Sequence, residues 1–342
     1  MASIELDIWR GEWGLASIDL ECLKVLTYMK FIGVPVRVRE ANNPFFTPKG
    51  TLPVMRDGRK VLTNFEEVVE YLKSLHYSTD VHLNSKQAAE ASAFTQYLRD
   101  KLYPAYQYAW WVDEKNYGEM TRPAYARALR IPFNFYYPSK YQNNAKEMID
   151  ALYGEHTDLR EIEKTIYSEA EKCLKTLSDR LGESEYFFGN RPSSFDATVF
   201  AYVAPLVKAP FPNATLANSV KGIANLTRFV ARINQKNFRH VTDEYNRQNK
   251  KHSTGTQSER EAANFPNQTR NKILAALFAA FAMTGYAMAN GMFQRWTSWS
   301  WERTMLLNRF RIAKKQLEKF NKLRAGKTHN TVPIQLEDKE TH

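Results

Sequence analysis

Hydrophobic and polar positions follow a regular order over the N-terminal part of the chain. Alternation predicts a strand over residues 4–9. An apolar stripe then predicts a helix that Ser17 caps and Gly33 ends. Shorter apolar runs between turn residues predict three more strands and a second helix, at 34–39, 51–55, 60–62 and 65–75. We assign residues 1–78 to an α/β domain.

The order of these elements is typical of a thioredoxin-like domain. That fold has a cis-proline before its third strand, and Pro53, which follows Leu52, occupies this place in the chain. A cis peptide bond is common only before proline, because the tertiary amide removes most of the preference for trans. We therefore predict a structural role for Pro53.

From Ser85 onward the pattern is helical, and no further strand is indicated. One long helical pattern covers residues 85–112, where Pro104 predicts a kink or a break, and a second covers 158–181 with one apolar stripe. The intervening residues 110–138 are aromatic, and we predict an irregular structure for them.

A second structural signal lies at Ser193 and Asp196, which have the Ser-x-x-acid spacing of a capping box. The helix that they begin is almost entirely apolar as far as Val207, so we expect it to be central to a helical domain. A last helix is predicted over 215–238. We assign residues 85–238 to one all-α domain.

The uncharged stretch at residues 273–292 is of a different kind. As a helix it would be ~30 Å long, which matches the hydrocarbon thickness of a bilayer. We predict a single transmembrane helix whose membrane anchor residues are Ile273, Leu274, Leu277, Phe278, Phe281, Met283, Tyr286, Met288 and Met292. Cationic and aromatic flanks predict interface anchors at Lys272, Arg295, Trp296, Trp299 and Trp301. The alternative is a buried core helix of a soluble domain.

The segments on either side of this stretch are polar. Residues 239–272 are predicted to be a linker. Residues 293–342 are predicted to be a basic amphipathic tail, which suits binding to a membrane surface or to a partner. The alternative is an ordinary helix whose apolar stripe packs on the protein's own body. Much of the formal net charge of +11 lies after Met292, which favours an anionic membrane surface over nucleic acid.

Candidate catalytic and metal-binding residues are few. Cys22 and Cys173 are far apart, so we predict no disulfide and a reducing compartment, and Cys22 suits core packing. The histidines show no metal-ligand spacing, and no phosphate-binding Gly-rich loop occurs. We expect no cofactor and no metal. Because no signal precedes the first residues, we expect the N-terminal body to face the cytosol.

The thioredoxin-like half followed by an all-helical half resembles the glutathione S-transferase fold. Five segments, in this order, resemble the metaxin family more specifically: GTLPVMRDG, WWVDEKNY, TRPAY, PFNFYYP and FFGNRPSSFDATVF. The apolar stretch at 273–292 resembles the membrane-anchored branch of that family. The likeness covers about residues 4–240 and this stretch.

The resemblance implies a location on the mitochondrial outer membrane and no catalysis. It implies a metaxin 2-like partner subunit and association with the β-barrel insertase of the sorting and assembly machinery. The leading interpretation is a membrane-anchored scaffold of protein import. Two alternatives stay open, namely a glutathione-dependent transferase tethered to the same membrane and an adaptor that links mitochondria to transport machinery.

The resemblance to glutathione S-transferases also indicates where an active site would lie. Such enzymes need a hydroxyl or thiol after the first strand, and Ser17 is the only candidate, although capping suits it better. They also need an acidic or amide residue followed by Ser after the fourth strand, and these positions hold Asn64 and Phe65. We expect Phe65 to fill the glutathione site, which argues against glutathione chemistry.

Overall fold

The computed structural model describes residues 4–41, 44–129, 133–154, 159–254, 273 and 276–283. Two compact units are present, Met1–Thr256 and Gln257–His342. The predicted domains 1–78 and 85–238 therefore belong to one unit. The reason is that the first helix of the α/β part, Leu20–Ile32, packs against the apolar helix Ser194–Lys208 of the helical part.

A four-stranded mixed sheet forms the N-terminal part. Its strands are β1 (Ile4–Ile8), β2 (Val36–Glu40), β3 (Val54–Asp57) and β4 (Lys60–Leu62), in the spatial order β2-β1-β3-β4. Strand β1 pairs in parallel with β2 and antiparallel with β3, so that Leu6 lies opposite both Val38 and Met55. Leu6 and Met55 are fully buried. The Leu52–Pro53 peptide bond is cis, which confirms the prediction for Pro53.

Helix α1 (Leu20–Ile32) begins later than the sequence pattern predicts. Asp19, not Ser17, is its N-cap, and the Asp19 carboxylate accepts a hydrogen bond from the Cys22 backbone N–H at 2.9 Å. Ser17 is completely buried, and its hydroxyl accepts from the Asp19 backbone N–H at 3.3 Å. The helix ends at Gly33, whose φ of 67° is left-handed, as predicted.

The helices that follow are α2 (Phe65–Ser74), α3 (Ser85–Tyr97), α4 (Tyr103–Gln107), α5 (Glu114–Asn116), α6 (Arg122–Ala128) and α7 (Phe133–Tyr153). Among the described residues after Ser85, π-helical turns at Leu98–Leu102, Tyr108–Val112 and Tyr117–Thr121 join several of them. The prediction of irregular structure over 110–138 is therefore wrong. Five of its aromatic residues are helical with their rings buried in the core, where packing outweighs local propensity, namely Trp110, Trp111, Tyr117, Tyr125 and Tyr137.

The central helices of this half are α8 (Leu159–Leu181) and α9 (Ser194–Lys208). Every residue of α9 from Phe195 to Leu206 is buried, which is the central position that the sequence predicts. The predicted helix over 215–238 is two helices, α10 (Thr215–Lys221) and α11 (Ala224–Asn237), because the chain turns at Gly222.

The predicted linker 239–272 begins with a helix, α12 (Arg239–Thr254), which corrects its first boundary. The segment is very polar, and this polarity suggested a linker. Tyr245 nevertheless packs against the core of the first unit, and the helix also contacts α11.

The predicted transmembrane stretch is described only in part. Residues 273 and 276–283 are helical, and the side chains of Ile273, Leu277, Phe278, Phe281 and Met283 are exposed. Over the described residues, no helix combines the length and the apolar character that crossing a membrane requires. The remaining predicted anchors lie outside the described residues, namely Leu274, Tyr286, Met288, Met292, Lys272, Arg295, Trp296, Trp299 and Trp301, as does the tail 293–342.

Candidate functional site

A cleft of about 370 Å³ lies beside the N-terminus of α1 and the cis-proline. The N-terminus of a helix carries partial positive charge, and enzymes use such positions to stabilise a thiolate. Polar and aromatic side chains line the cleft, including Asp19, Glu21, Thr63, Gln107 and Tyr141. This is the place at which glutathione chemistry would have to occur.

The carboxylate of Asp19 already occupies the positive end of α1. Burial raises the pKa of Asp19 to about 6, although the Cys22 N–H donates a hydrogen bond to it. At neutral pH this carboxylate is therefore mostly ionised, and Glu21 adds a second acidic side chain to the same cleft. An anionic thiolate would be repelled here.

The loop between β1 and α1 is tightly fixed. Trp13 and Gly14 both have left-handed backbone angles, with φ of 54° and 74°, and the Leu15 N–H donates to the Glu12 carbonyl at 2.8 Å. The Trp13 ring meets the ring of Trp110 edge-on, with 6.0 Å between centroids. These contacts hold a bulky residue in a conformation that usually favours glycine.

Two further contacts hold the same loop. The Arg127 guanidinium donates to both carboxylate oxygens of Glu12, at 3.0 and 2.8 Å. A Cβ atom added to Gly11 would lie 2.1 Å from the Leu15 carbonyl oxygen, so only glycine fits at this position. The loop is rigid, and it presents no nucleophile to the cleft.

Neither Ser17 nor either cysteine is activated as a nucleophile. Ser17 is buried and bonded to its own loop, so the structure does not bring it to the cleft surface. Burial raises the pKa of the Cys22 thiol well above its usual value, and burial raises that of Cys173 to about 12. Both remain neutral thiols at physiological pH, which excludes them as nucleophiles.

The two positions that would hold the γ-glutamyl group have structural roles. Asn64 is the N-cap of α2, where its side-chain oxygen accepts from the Glu66 N–H at 3.1 Å. Phe65 packs against α1, with 5.8 Å between its ring centroid and that of Tyr28, and the Lys24 ammonium lies 5.2 Å from its ring. The expectation that Phe65 fills the cleft is wrong, because its ring turns toward α1 and leaves Thr63 at the cleft wall.

A second cleft, of about 710 Å³, lies between the β1–α1 loop and α12. Basic groups line it together with acidic ones, namely Arg10, Lys30, Arg127 and His240 with Glu12, Glu40 and Glu244. Sequence reasoning missed this cleft because it predicted a linker in place of α12. The mixed charges select no single class of ligand.

Ser193 and Asp196 lie away from both clefts and form a buried capping box at the start of α9. One Asp196 oxygen accepts from the Phe187 N–H at 2.9 Å, and the other accepts from the N–H and hydroxyl of Ser193 at 2.8 and 2.5 Å. Burial raises the pKa of Asp196 to about 6 in spite of these bonds. The box joins the loop before α9 to the helix itself.

Metal binding finds no support in the described part of the chain, since no group of three or more His, Cys, Asp or Glu residues there could hold an ion. The cleft at the start of α1 is acidic, and Ser17 and Cys22 are buried.

Comparison with protein families agrees with this architecture. Residues 22–142 match the family described as outer mitochondrial membrane transport complex protein, and residues 170–233 match the C-terminal domain of glutathione S-transferases. A solved glutathione S-transferase of Ceriporiopsis subvermispora in complex with glutathione aligns with 69% of this chain and 100% of its own, at 12% identity and a TM-score of 0.49.

Named relatives match over most of the chain. Bovine Metaxin-1 is 38% identical over 294 residues, which cover 85% of this chain and 91% of that protein. The Drosophila melanogaster Metaxin-1 homolog is 32% identical over 300 residues, with 86% and 91% coverage. Human Metaxin-1 is also 38% identical, and the match covers 62% of its length.

Proposed function

Because the chain belongs to the metaxin family, we propose that it is a non-catalytic, membrane-anchored scaffold of the mitochondrial outer membrane. Its task is in protein import and in the sorting and assembly of β-barrel proteins. The matching family is described as an outer mitochondrial membrane transport complex protein, which supports this location. The partners that we propose are a metaxin 2-like subunit and the β-barrel insertase of the assembly machinery.

One observation carries the non-catalytic part of the proposal, namely Asp19 at the N-terminus of α1. Its carboxylate takes the hydrogen bond and the electrostatic site that a thiolate would need. An enzyme of this fold would offer a hydroxyl or thiol there. The described clefts offer an acidic side chain in its place, and Ser17 and Cys22 are fully buried.

We further propose that residues 273–292 anchor the chain in the membrane, with the N-terminal body in the cytosol. The stretch carries no charged residue, and its length suits one crossing of a bilayer. Deletion of 273–292 should move the chain from the carbonate-resistant membrane fraction to the soluble fraction. A deletion of similar length in the adjoining polar segment, 255–272, is the control and should leave the chain in the membrane. Retention of the first variant would contradict the anchor.

The scaffold function is tested by loss and rescue in cells without a redundant paralogue. Loss of the chain should lower the levels of outer-membrane β-barrel proteins and of the metaxin 2-like subunit together, because a subunit without its partner is degraded. Normal β-barrel levels after complete loss would refute the scaffold function.

A variant tested in the same rescue experiment distinguishes a scaffold function from an enzymatic one. The chain with Asp19→Asn and Glu21→Gln changes the chemistry of the cleft but keeps a good helix cap. We expect it to restore β-barrel levels as well as the unchanged chain does. Failure to rescue at normal protein abundance would indicate that the cleft has a chemical role.

A further inference from the structure

An exposed group of aromatic rings lies where the turn Pro44–Phe46 meets the start of α7. Phe46 is 81% exposed, Phe45 56% and Tyr136 47%. The rings are in contact, with 5.5 Å between the centroids of Phe45 and Phe46 and 5.7 Å between those of Phe45 and Phe133. We call Phe45, Phe46, Phe133 and Tyr136 the aromatic surface.

The aromatic surface is attached to the core through Tyr137, which is 1% exposed. Its ring centroid lies 6.2 Å from that of Phe133, 5.2 Å from that of Tyr136 and 6.3 Å from that of the buried Trp9. The turn itself is fixed by the Thr47 hydroxyl, which lies within hydrogen-bond distance of the carbonyls of Pro44 and Thr51. The exposed rings are therefore held in place before any partner binds.

The charge of the two segments that form this surface is of one sign. The described residues of these segments, 44–55 and 133–146, contain Lys49, Lys140 and Lys146 and no aspartate or glutamate, and the acidic Asp19 and Glu21 line the cleft beside them. The Lys140 ammonium lies 5.8 Å from the ring centroid of Tyr136. Exposed aromatic rings beside lysines are typical of surfaces that enter the headgroup region of a bilayer.

We propose that the aromatic surface docks the folded body onto the anionic headgroups of a lipid bilayer. Phe45 and Phe46 enter the interface, and the basic residues face the lipid phosphates and carboxylates. The lysines that both segments carry match the negative surface of an anionic membrane. The proposal rests on the proposed function in one respect, because an anchor at 273–292 would keep the body near the bilayer.

The test uses the full chain in vesicles, with an environment-sensitive fluorophore on a cysteine introduced at Pro48, beside the aromatic surface. Cys22 and Cys173 are buried, so they do not compete for the label. In vesicles of equal parts phosphatidylcholine and phosphatidylserine, the emission should shift to the blue relative to phosphatidylcholine alone, and salt should reverse the shift. The control carries the same label at Val81, which is 84% exposed and belongs to the turn Asp80–His82, outside the aromatic surface. Its emission should be the same in both kinds of vesicle.

A matched pair of variants tests the rings themselves. Phe45→Ser combined with Phe46→Ser should lower the ratio of docked to undocked body at least about tenfold, since apolar surface no longer leaves the water. Phe135→Ser is the control, because Phe135 is 55% exposed but lies about 160° round α7 from Phe133. Circular dichroism checks that all variants are folded.

Three outcomes would contradict the docking. The first is equal emission in the two kinds of vesicle, and the second is an equal loss of docking in the double variant and in the Phe135→Ser control. The third is a blue shift that appears only when outer-membrane proteins are added. The last of these would assign the surface to a protein partner. Carbonate extraction of the same vesicles tests the anchor separately. The emission is read before extraction, so it decides the docking even if the anchor fails.

Discussion

The ring of Phe65 meets the ring of Tyr28 edge-on, with 5.8 Å between their centroids, at the first position of α2. A glutathione-binding member of this fold needs a hydroxyl at that position, and here an aromatic pair ties α2 to α1 instead. The substitution of a hydroxyl by a ring removes a ligand contact and adds a packing contact.

We therefore expect no retention of the full chain, extracted in detergent, on immobilised glutathione. The acidic side chains of Asp19 and Glu21 disfavour a thiolate in the cleft, and Phe65 offers no hydrogen bond to the γ-glutamyl group. A glutathione S-transferase in the same detergent is the positive control. Retention of the chain and its elution by free glutathione would contradict the non-catalytic proposal.

The charge of Asp19 should make stability depend on pH. Burial raises its pKa to about 6 in the folded chain, against about 3.9 when unfolded. The folded state therefore favours the neutral acid. This contribution to the free energy of unfolding is full below about pH 4 and is lost as the pH rises to about 6.

Comparison with Asp19→Asn isolates this effect, because asparagine still caps α1. The stability of the unchanged chain relative to Asp19→Asn should fall by up to about 3 kcal/mol between about pH 4 and pH 6. Urea unfolding at several pH values measures this difference. A difference that is constant with pH would show that the carboxyl group has an ordinary pKa.

Two glycines offer a paired test of the β1–α1 loop. Gly11→Ala should lower the free energy of unfolding by about 2–3 kcal/mol, because the new Cβ would lie within 2.1 Å of a backbone oxygen. Gly118→Ala meets nothing within 4 Å and lies in a helical turn, so it should be neutral or stabilising by up to about 1 kcal/mol. Equal effects of the two changes, measured by thermal unfolding, would contradict the described loop.

Two capping boxes in the same chain differ in burial and should differ in energy. Asp196→Ala leaves the buried N–H groups of Phe187 and Ser193 without acceptors and should cost about 3 kcal/mol. Gln87→Ala removes the equivalent bond, which the Asn84 N–H donates at the exposed start of α3, where water replaces it, and should cost at most about 1 kcal/mol. Denaturant unfolding compares the two, and a smaller loss for Asp196→Ala would refute the structural role of the buried box.

Much of the fold was accessible from the sequence because its signals are local. The alternating strands, the cis bond before Pro53 and the spacing of Ser193 and Asp196 each follow from a few neighbouring residues. The helices within the described residues of 110–138 were not accessible, because aromatic residues favour strands locally, whereas Trp110, Trp111 and Tyr125 are helical here with buried rings. Helix α12 was missed because Tyr245, which packs against the core, is surrounded in the sequence by polar residues.

For the candidate site, the sequence predicts the missing glutathione-binding hydroxyl better than it predicts the roles of the residues that are present. The absence of a serine beside Asn64 can be seen in the sequence. The role of Asp19 depends on the residue at which α1 begins, and helix boundaries are uncertain by one or two residues. The left-handed Trp13 had no sequence signal, since tryptophan rarely adopts that conformation and is held in it by Trp110.

The π-helical turns at Leu98–Leu102, Tyr108–Val112 and Tyr117–Thr121 have a consequence for how this family diverges. Each such turn accommodates one extra residue inside a helix without breaking it. Homologues that lack a turn should therefore be one residue shorter at that place, with the later side chains rotated by about 100°. Because these turns carry buried residues such as Trp110 and Trp111, loss of a turn would also require the surrounding core to repack.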